Sequence, residues 1–174
     1  ILILSPLFPP DTGASAGYVK ELATRMQPSH EINLLVYGYL PESVPKVIIT
    51  SVDKRSFLPV RLFLYARAVW RYKSQDIIFL NNAPSVELPF FLISLFRKIP
   101  FILIESDEVA LEAGKRGWCK IIHKLILKRA KKVISLEGEK TYKKAEVLPF
   151  AEFDTAREAR REAWWNIHLN QLMS

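Results

Sequence analysis

The sequence has a single cysteine, Cys119, among its 174 residues. One thiol excludes an internal disulfide and a cysteine-rich metal site, and it is typical of a reducing compartment, so we expect a cytoplasmic protein. The three histidines lie far apart in the sequence, and none has a carboxylate at the spacing of metal ligands, so we predict no metal site. No run approaches the ~18 consecutive apolar residues that a membrane-spanning helix requires.

Two common nucleotide-binding motifs are also missing. A P-loop requires a lysine and a hydroxyl residue after its second glycine, but Tyr18 and Val19 follow Gly17 here. The dinucleotide fingerprint requires three glycines and an acidic residue at the end of the second strand, where this chain has Tyr37 and Gly38. These absences disfavour a P-loop ATPase and an NAD-linked dehydrogenase, and we expect no cofactor on this chain alone.

Positive charge is present in moderate excess. Lys and Arg outnumber Asp and Glu by 25 to 18, which gives a net charge of +7. This excess favours anionic partners such as phosphorylated ligands, an acidic membrane surface or nucleic acid, and of these we do not expect nucleic acid. A solvated surface rich in lysine would have the same composition.

Short apolar segments alternate with amphipathic ones along the chain. The predicted strands are 1–4, 31–37, 46–50, 76–80, 100–104, 132–136 and 146–148. Helices are predicted after the first strand's loop and at 58–73, 84–98, 118–131, 139–145 and 155–173. Apolar strands without strict two-residue alternation are typical of a parallel sheet that is covered on both faces. The pattern predicts a doubly wound, Rossmann-like α/β domain of about six or seven strands over 1–154, with a C-terminal helix, 155–174, packed back on it.

The packed side of two helices can be predicted as well. In helix 58–73 the residues expected to face inward are Leu62, Phe63, Ala66, Val69 and Trp70. In the C-terminal helix the expected packing face is Ala156, Ala159, Ala163, Trp164, Ile167 and Leu172, and at least one of Trp164 and Trp165 should be buried.

Ligands of such sheets bind outside the carboxyl ends of the strands. The segments 5–17, 38–45, 81–85 and 105–114 should therefore converge at one edge. The first of them runs from a strand into a helix N-terminus, where free backbone N–H groups can bind an anion. We expect Gly13 to Gly17 to be exposed, mobile and empty in this chain alone; the glycines would also suit a loop and a close helix–strand contact.

Four segments carry a family resemblance through their order and spacing. They are FPPDTGASAGYVKELA after the first strand, then IPFILIESDE, KRAKKVISLEGE and EVLPFAEFD. This series resembles the N-terminal domain of GT-B glycosyltransferases of the retaining, family-4 type, over roughly residues 1–154. That family has a proline–glycine loop before its first helix, an IPVVxxxHD-like fifth strand, an ADxVIAxSE-like sixth strand and a VIPNGVD-like linker.

The resemblance implies the acceptor-side half of an enzyme that transfers a sugar from a nucleotide-sugar to an acceptor. The residues expected to contact the acceptor or the donor diphosphate are Gly13, Ala14, Gly17, Asn81, Asn82 and Glu105. Ser106 occupies the position of the family's usual histidine, which sits against the transferred sugar, and Asp107 adjoins it. We therefore assign no catalytic residue.

In the family, the linker leads to a second domain that binds the nucleotide-sugar and carries two glutamates with seven residues between them. No pair of glutamates here has that spacing. The expected partners are therefore a donor-binding domain or chain and a sugar or lipid-linked acceptor, with the nucleotide-sugar bound only when the second domain is present. The alternative is a non-catalytic binding or scaffold domain of the same descent.

A basic stripe is predicted on helix 118–131. Its members, spaced by four, are Arg116, Lys120, Lys124 and Lys128, with His123 and Lys131 beside them. The stripe fits either a solvated face of a core helix or a contact with an anionic membrane surface, which would suit a lipid-linked acceptor and a location at the inner face of the membrane. The arginines of helix 58–73 would extend the same surface.

Overall fold

A computed structural model of the chain describes residues 1–72, 76–105, 117–136, 145–147 and 158–174; the side chains of Ala14, 145–147 and 158–161 are not described. Seven parallel strands form one sheet in the order β3-β2-β1-β4-β5-β6-β7. The strands are β1 Leu2–Ser5, β2 Ile32–Tyr37, β3 Val47–Val52, β4 Ile78–Asn81, β5 Phe101–Glu105, β6 Lys132–Ser135 and β7 Ala145–Val147. The chain adds β2 and β3 on one side of β1, and then crosses over to add β4 and the later strands on the other side. This is the doubly wound arrangement. The predicted fold class is confirmed.

The described helices follow the predicted order. They are α1 Ala14–Met26, α2 Leu58–Arg71, α3 Pro84–Phe96, α4 Gly117–Arg129 and α5 Glu158–Met173. Of the predicted helix 139–145, residues 139–144 lie outside the described ranges, and Ala145 belongs to β7. Within the described ranges, no helix is long and apolar enough to cross a membrane.

Each side of the sheet has its own helical layer, because neighbouring residues of a strand point to opposite faces. Leu2 and Leu4 of β1 pack with α2, α3 and α4, whereas Ile3 packs with α1 and α5. The inner strands β1, β2, β4 and β5 are buried on both faces, which explains their continuous apolar runs, whereas the edge strand β3 is partly exposed. The helices on both faces and the C-terminal helix packed on the domain are therefore as predicted.

The buried side of α2 differs from the prediction. Tyr65 and Val69 are buried, whereas Phe63 is 66% exposed and Trp70 is 41% exposed. Tyr65 stacks on Tyr37 with ring centroids 4.4 Å apart and donates a hydrogen bond to the Leu35 carbonyl at 3.1 Å. Apolar residues surround α2 on nearly all sides, so their spacing could not identify the face that meets the sheet.

The packing face of α5 was only partly predicted. Leu172 is buried as expected, and Trp165 confirms that one tryptophan of the pair is buried. Ala163 and Ile167, expected on the packed side, are exposed, and Trp164 is half-buried. The helix instead packs through a face that includes His168, because an aromatic cluster with α1 forms there. Residue 156 and the side chain of residue 159 lie outside the described part.

Candidate functional site

Polar residues from several strands meet at the carboxyl edge of the sheet, as the topology requires. Ser5, Asn81 and Glu105 end β1, β4 and β5, and all three are buried. The Asn81 amide nitrogen Nδ2 donates to Ser5 Oγ at 3.2 Å, and the backbone N–H of Asn82 donates to the Ile104 carbonyl at 2.9 Å. The predicted residues Asn81, Asn82 and Glu105 are thus brought to one edge, where their contacts hold the strand ends together.

The glycine segment before α1 is more compact than expected. Gly13 is exposed and Gly17 is partly exposed, but Ser15 and Ala16 are buried, so the expectation of an exposed stretch from Gly13 to Gly17 is wrong at Ser15 and Ala16. The reason is that α1 begins at Ala14, which places Gly17 inside the helix. Gly13 itself has φ +150°, and a Cβ there would lie 3.1 Å from Leu7 Cδ1, so both conformation and space favour glycine.

Behind this edge lies a buried cluster of one imidazole and two carboxylates. His123 Nδ1 on α4 lies 2.9 and 3.1 Å from the two carboxylate oxygens of Glu87 on α3. On the other side of the ring, Nε2 is 3.8 Å from Glu105 Oε1 at the end of β5. All three side chains are at most 4% exposed. In the described part of the chain, no group of three acidic, histidine or cysteine side chains is placed to hold a metal ion.

This cluster was not predicted from the sequence. His123 was expected beside the basic stripe, but it points into the fold, and Glu87 is 36 residues away from it. One signal was available: Glu87 is the only charged residue of the otherwise apolar α3. It lies in the first turn of that helix, where the helix dipole stabilises an anion.

An apolar cavity of about 320 Å³ lies next to the cluster, between the first turns of α2, α3 and α4. Leu58, Leu62 and Leu88 contribute to its walls, Trp118 to its rim, and Glu87 is the charged side chain that lines it. The Tyr37 hydroxyl donates to the Ser85 carbonyl at 2.8 Å, which fixes the start of α3 at this position. The arrangement is an apolar recess beside the buried Glu87–His123 pair.

The outer surface of the same helical layer is apolar and basic. We call it the apolar–basic face, and define it by Phe57, Leu58, Val60, Phe63, Leu64, Arg67, Trp70, Arg71, Leu92, Leu95, Phe96, Trp118, Lys120, Ile121, Lys124 and Lys128, all exposed. The sequences of α2, α3 and α4 contain one carboxylate, Glu87, and it is buried. This face therefore presents cations and large apolar side chains without an exposed acid on its three helices.

A second, basic recess of about 460 Å³ lies at the opposite edge of the sheet, where α3 and α4 end. Its lining includes Arg97, Lys98, Arg129 and Lys131. Arg129 is held by a 3.0 Å hydrogen bond from its guanidinium to the Ser94 carbonyl, and Arg97 lies 4.2 Å above the centre of the Trp70 ring. This recess continues the positive charge of the apolar–basic face.

On the other side of the sheet, α5 docks on α1 through aromatic residues. Tyr18 and Trp165 stack with ring centroids 5.6 Å apart, and Tyr18 Oη lies 2.7 Å from His168 Nε2. Burial lowers the pKa of His168 to about 4 and raises the pKa of Tyr18 well above its ordinary value. His168 is therefore neutral at pH 7, and its tautomer decides whether Nε2 or the Tyr18 hydroxyl donates in this hydrogen bond.

The fold defines the class of protein: an all-parallel, Rossmann-like α/β domain with a polar carboxyl edge. The sequence matches no protein-family model, and it matches no curated protein. Three of the predicted residues, Ser106, Asp107 and Arg116, lie outside the described ranges, as does the side chain of Ala14. Lys120, Lys124 and Lys128 are exposed along one side of α4, as the stripe requires.

Proposed function

We propose that this chain is the acceptor-side domain of a GT-B-type glycosyltransferase. The observation that carries the proposal is the meeting of the Gly13 loop, Asn81, Asn82 and Glu105 at the carboxyl edge of a doubly wound sheet, with a C-terminal helix returning to α1. The order of sequence motifs that resemble this family agrees with that arrangement. The acceptor would lie along this edge, and the diphosphate of a nucleotide-sugar would approach the start of α1.

Sugar transfer requires the two substrates to be aligned in a site that excludes water. In the proposed enzyme, this domain supplies one wall of that site, and a donor-binding domain or chain supplies the other. The chain alone therefore has no turnover. The buried hydrogen bonds at the edge keep the strand ends fixed, which preserves the shape of the acceptor wall when the second domain is absent.

Reconstitution tests this function. The chain is purified alone and together with any donor-binding partner that co-purifies, and both are supplied with a panel of nucleotide-sugars and acceptors. Transfer is expected only from the pair. Turnover by the chain alone contradicts the split arrangement, whereas a stable pair that never transfers a sugar favours a non-catalytic scaffold of the same fold.

The apolar–basic face supports a location at an anionic membrane surface. Exposed aromatic and aliphatic side chains can enter the interfacial region, and each basic residue near the surface contributes about 1 kcal/mol of attraction to anionic lipid. Phe96 is 78% exposed and Trp118 is 81% exposed, which is unusual for side chains of this size that contact only water. The inner face of the membrane, where anionic lipids concentrate, is the proposed location.

Vesicle sedimentation tests this location. The chain should bind vesicles that contain phosphatidylserine more tightly than vesicles of phosphatidylcholine, and added salt should weaken the binding. Phe63→Ser with Phe96→Ser should reduce binding, whereas the matched pair Ile167→Ser with Met173→Ser, at exposed sites on α5, should not. Equal binding of both vesicle types, or an equal effect of the control, argues against this surface.

A further inference from the structure

The cavity between the first turns of α2, α3 and α4 has a surface that is almost entirely apolar. Leu62, Leu88 and Ile122 contribute to its walls, and its volume of about 320 Å³ is at the lower end of the range for small-molecule sites. Glu87 also lines it, but both of its carboxylate oxygens lie within 3.1 Å of His123 Nδ1, and His123 does not line the cavity. The cavity therefore offers a ligand apolar contacts along nearly all of its surface.

Such a surface selects hydrocarbon. A polar group that enters apolar surroundings without a hydrogen-bond partner loses its hydration at a cost, whereas each methylene that leaves water gains about fourfold in affinity. Apolar cavities accordingly stay dry and take up apolar molecules. A ligand of this cavity therefore enters by a hydrocarbon end, and its polar end remains outside at the rim.

The residues around the mouth select the charge of that polar end. Leu58 and Trp118, both exposed, form the rim, so the cavity opens on the apolar–basic face. Lys120 is exposed two residues after Trp118, in the first turn of α4. The three helices carry a single carboxylate, the buried Glu87, so a negative head group at the mouth meets cations and no exposed acid of α2, α3 or α4.

A second cation is held close to the start of α3. The Arg61 guanidinium lies 5.4 Å from the centre of the Tyr37 ring, and the Tyr37 hydroxyl donates to the carbonyl of Ser85, which lines the cavity. The Arg61 guanidinium also donates to the Lys54 carbonyl at 3.0 Å. These contacts fix a positive charge beside the cavity before a ligand binds.

We propose that the cavity holds one hydrocarbon chain of an anionic membrane lipid. The chain lies between Leu62, Leu88 and Ile122, and the head group stays outside, near Lys120 and Arg61. The affinity of the cavity for a single-chain anionic amphiphile depends neither on glycosyl transfer nor on the membrane. Assigning the chain to a membrane lipid rests on the proposed location, because that location brings the rim to the lipid surface.

Calorimetric titration of the full chain with fatty acids from hexanoate to tetradecanoate tests the site. Each compound is used below its micelle concentration at about pH 8, where the carboxylate is ionised. Each added methylene should tighten binding roughly fourfold until the cavity is filled. If a methylene occupies roughly the 30 Å³ of a water molecule, the cavity holds about ten carbons, so longer chains should add much less.

The sign of the head group is tested with decyltrimethylammonium, which has a chain similar to that of decanoate but carries a positive charge. It should bind roughly tenfold more weakly than decanoate, because the cations near the mouth attract only the anion. Lys120→Glu should reduce this preference. Lys128→Glu, exposed on the same helix about 12 Å further along its axis, lies beyond the screening length of about 8 Å and should leave the preference unchanged.

Two variants fill the cavity from different helices. Cys119→Phe on α4 and Leu62→Trp on α2 should each weaken decanoate binding at least about tenfold, because several methylenes are displaced. Ile121→Phe, at an exposed site on α4, should retain it. Thermal unfolding shows which filled variants are folded, and one folded variant suffices. If neither folds, the dependence of wild-type affinity on chain length decides.

Four results would overturn the proposal. They are no saturable binding of decanoate, an undiminished gain per methylene up to tetradecanoate, full affinity in a folded filled variant, or binding of decyltrimethylammonium as tight as that of decanoate. An undiminished gain would mean adsorption to the open apolar–basic face rather than entry into a cavity of finite volume.

Vesicle sedimentation separates this site from the proposed location. Cys119→Phe should weaken binding to phosphatidylserine vesicles severalfold if a lipid chain enters the cavity. Loss of decanoate binding without any change in vesicle binding retains the cavity and rejects a membrane lipid as the source of the chain. Vesicle binding that depends on Phe63 and Phe96, without decanoate binding, retains the location and rejects this site.

Discussion

The docking of α5 on α1 should weaken as the pH falls, because His168 is buried as a neutral ring. Its pKa is lowered from an ordinary 6.5 to about 4 by burial. Between these values the unfolded chain binds a proton at His168 and the folded chain does not, so the free energy of unfolding decreases with decreasing pH. The contribution is fully present above pH 6.5 and is lost progressively toward pH 4.

The size of the effect follows from the same two values. One pKa unit corresponds to about 1.4 kcal/mol, so the complete loss is about 3 kcal/mol, of which about 2 kcal/mol is lost between pH 7 and pH 5. This is a large share of the 5–15 kcal/mol that typically stabilises a domain. Urea unfolding monitored by tryptophan fluorescence at both pH values measures it, since Trp165 lies in the cluster.

Other groups titrate over the same range, so the comparison is between variants. Tyr18→Phe with His168→Phe removes both the imidazole and the hydroxyl that is hydrogen-bonded to it, and should reduce the loss between pH 7 and pH 5 by about 2 kcal/mol. Ile167→Phe, exposed on the same helix, should leave the loss unchanged. An identical pH dependence in the wild type and the double variant would refute a neutral, buried His168.

Two further changes test the carboxyl edge by urea unfolding at pH 7. His123→Ala leaves the buried Glu87 carboxylate without its hydrogen-bond partner and should cost roughly 1–3 kcal/mol. Glu87→Leu with His123→Leu removes that carboxylate but leaves Glu105 buried, so it should restore part of the cost; a cost of His123→Ala below about 0.5 kcal/mol contradicts a buried hydrogen-bonded pair. Gly13→Ala should lower the free energy of unfolding by about 1–3 kcal/mol because Gly13 has a φ of +150°. The control Gly38→Ala, with no atom within 4 Å of the added Cβ, should change it by less than about 1 kcal/mol. Equal effects of the two changes would reject the strained conformation at Gly13.

The sheet could be predicted from the sequence because its strands carry apolar residues on both faces. Ile3 meets α1 and α5 while Leu2 and Leu4 meet the other layer, and such continuous apolar runs occur mainly in covered parallel sheets. Proline and glycine marked the loops between them. For the strands and for the helices α2, α3 and α4, the bounds were therefore predicted to within a few residues.

The orientation of the helices was harder to predict, because periodicity identifies a face only when the other face is polar. Phe63 and Trp70 on α2 are as apolar as the buried Val69, yet they are exposed on a surface that the sequence alone does not distinguish from the core. His123 and Glu87 could not be paired because no local pattern connects residues on two different helices. The position of the candidate edge in the fold could be predicted from the sequence. Its buried side-chain contacts could be identified only from the tertiary structure.

The layer of α2, α3 and α4 also determines how the domain would lie on a flat surface. Helices that cover a parallel sheet run alongside its strands, so contact through the apolar–basic face would place the sheet plane parallel to the bilayer. The carboxyl edge would then open sideways along the lipid surface, and α1 and α5 would point toward the aqueous phase. A second domain could approach that edge laterally, and an acceptor could reach it while its hydrocarbon chain remained in the lipid.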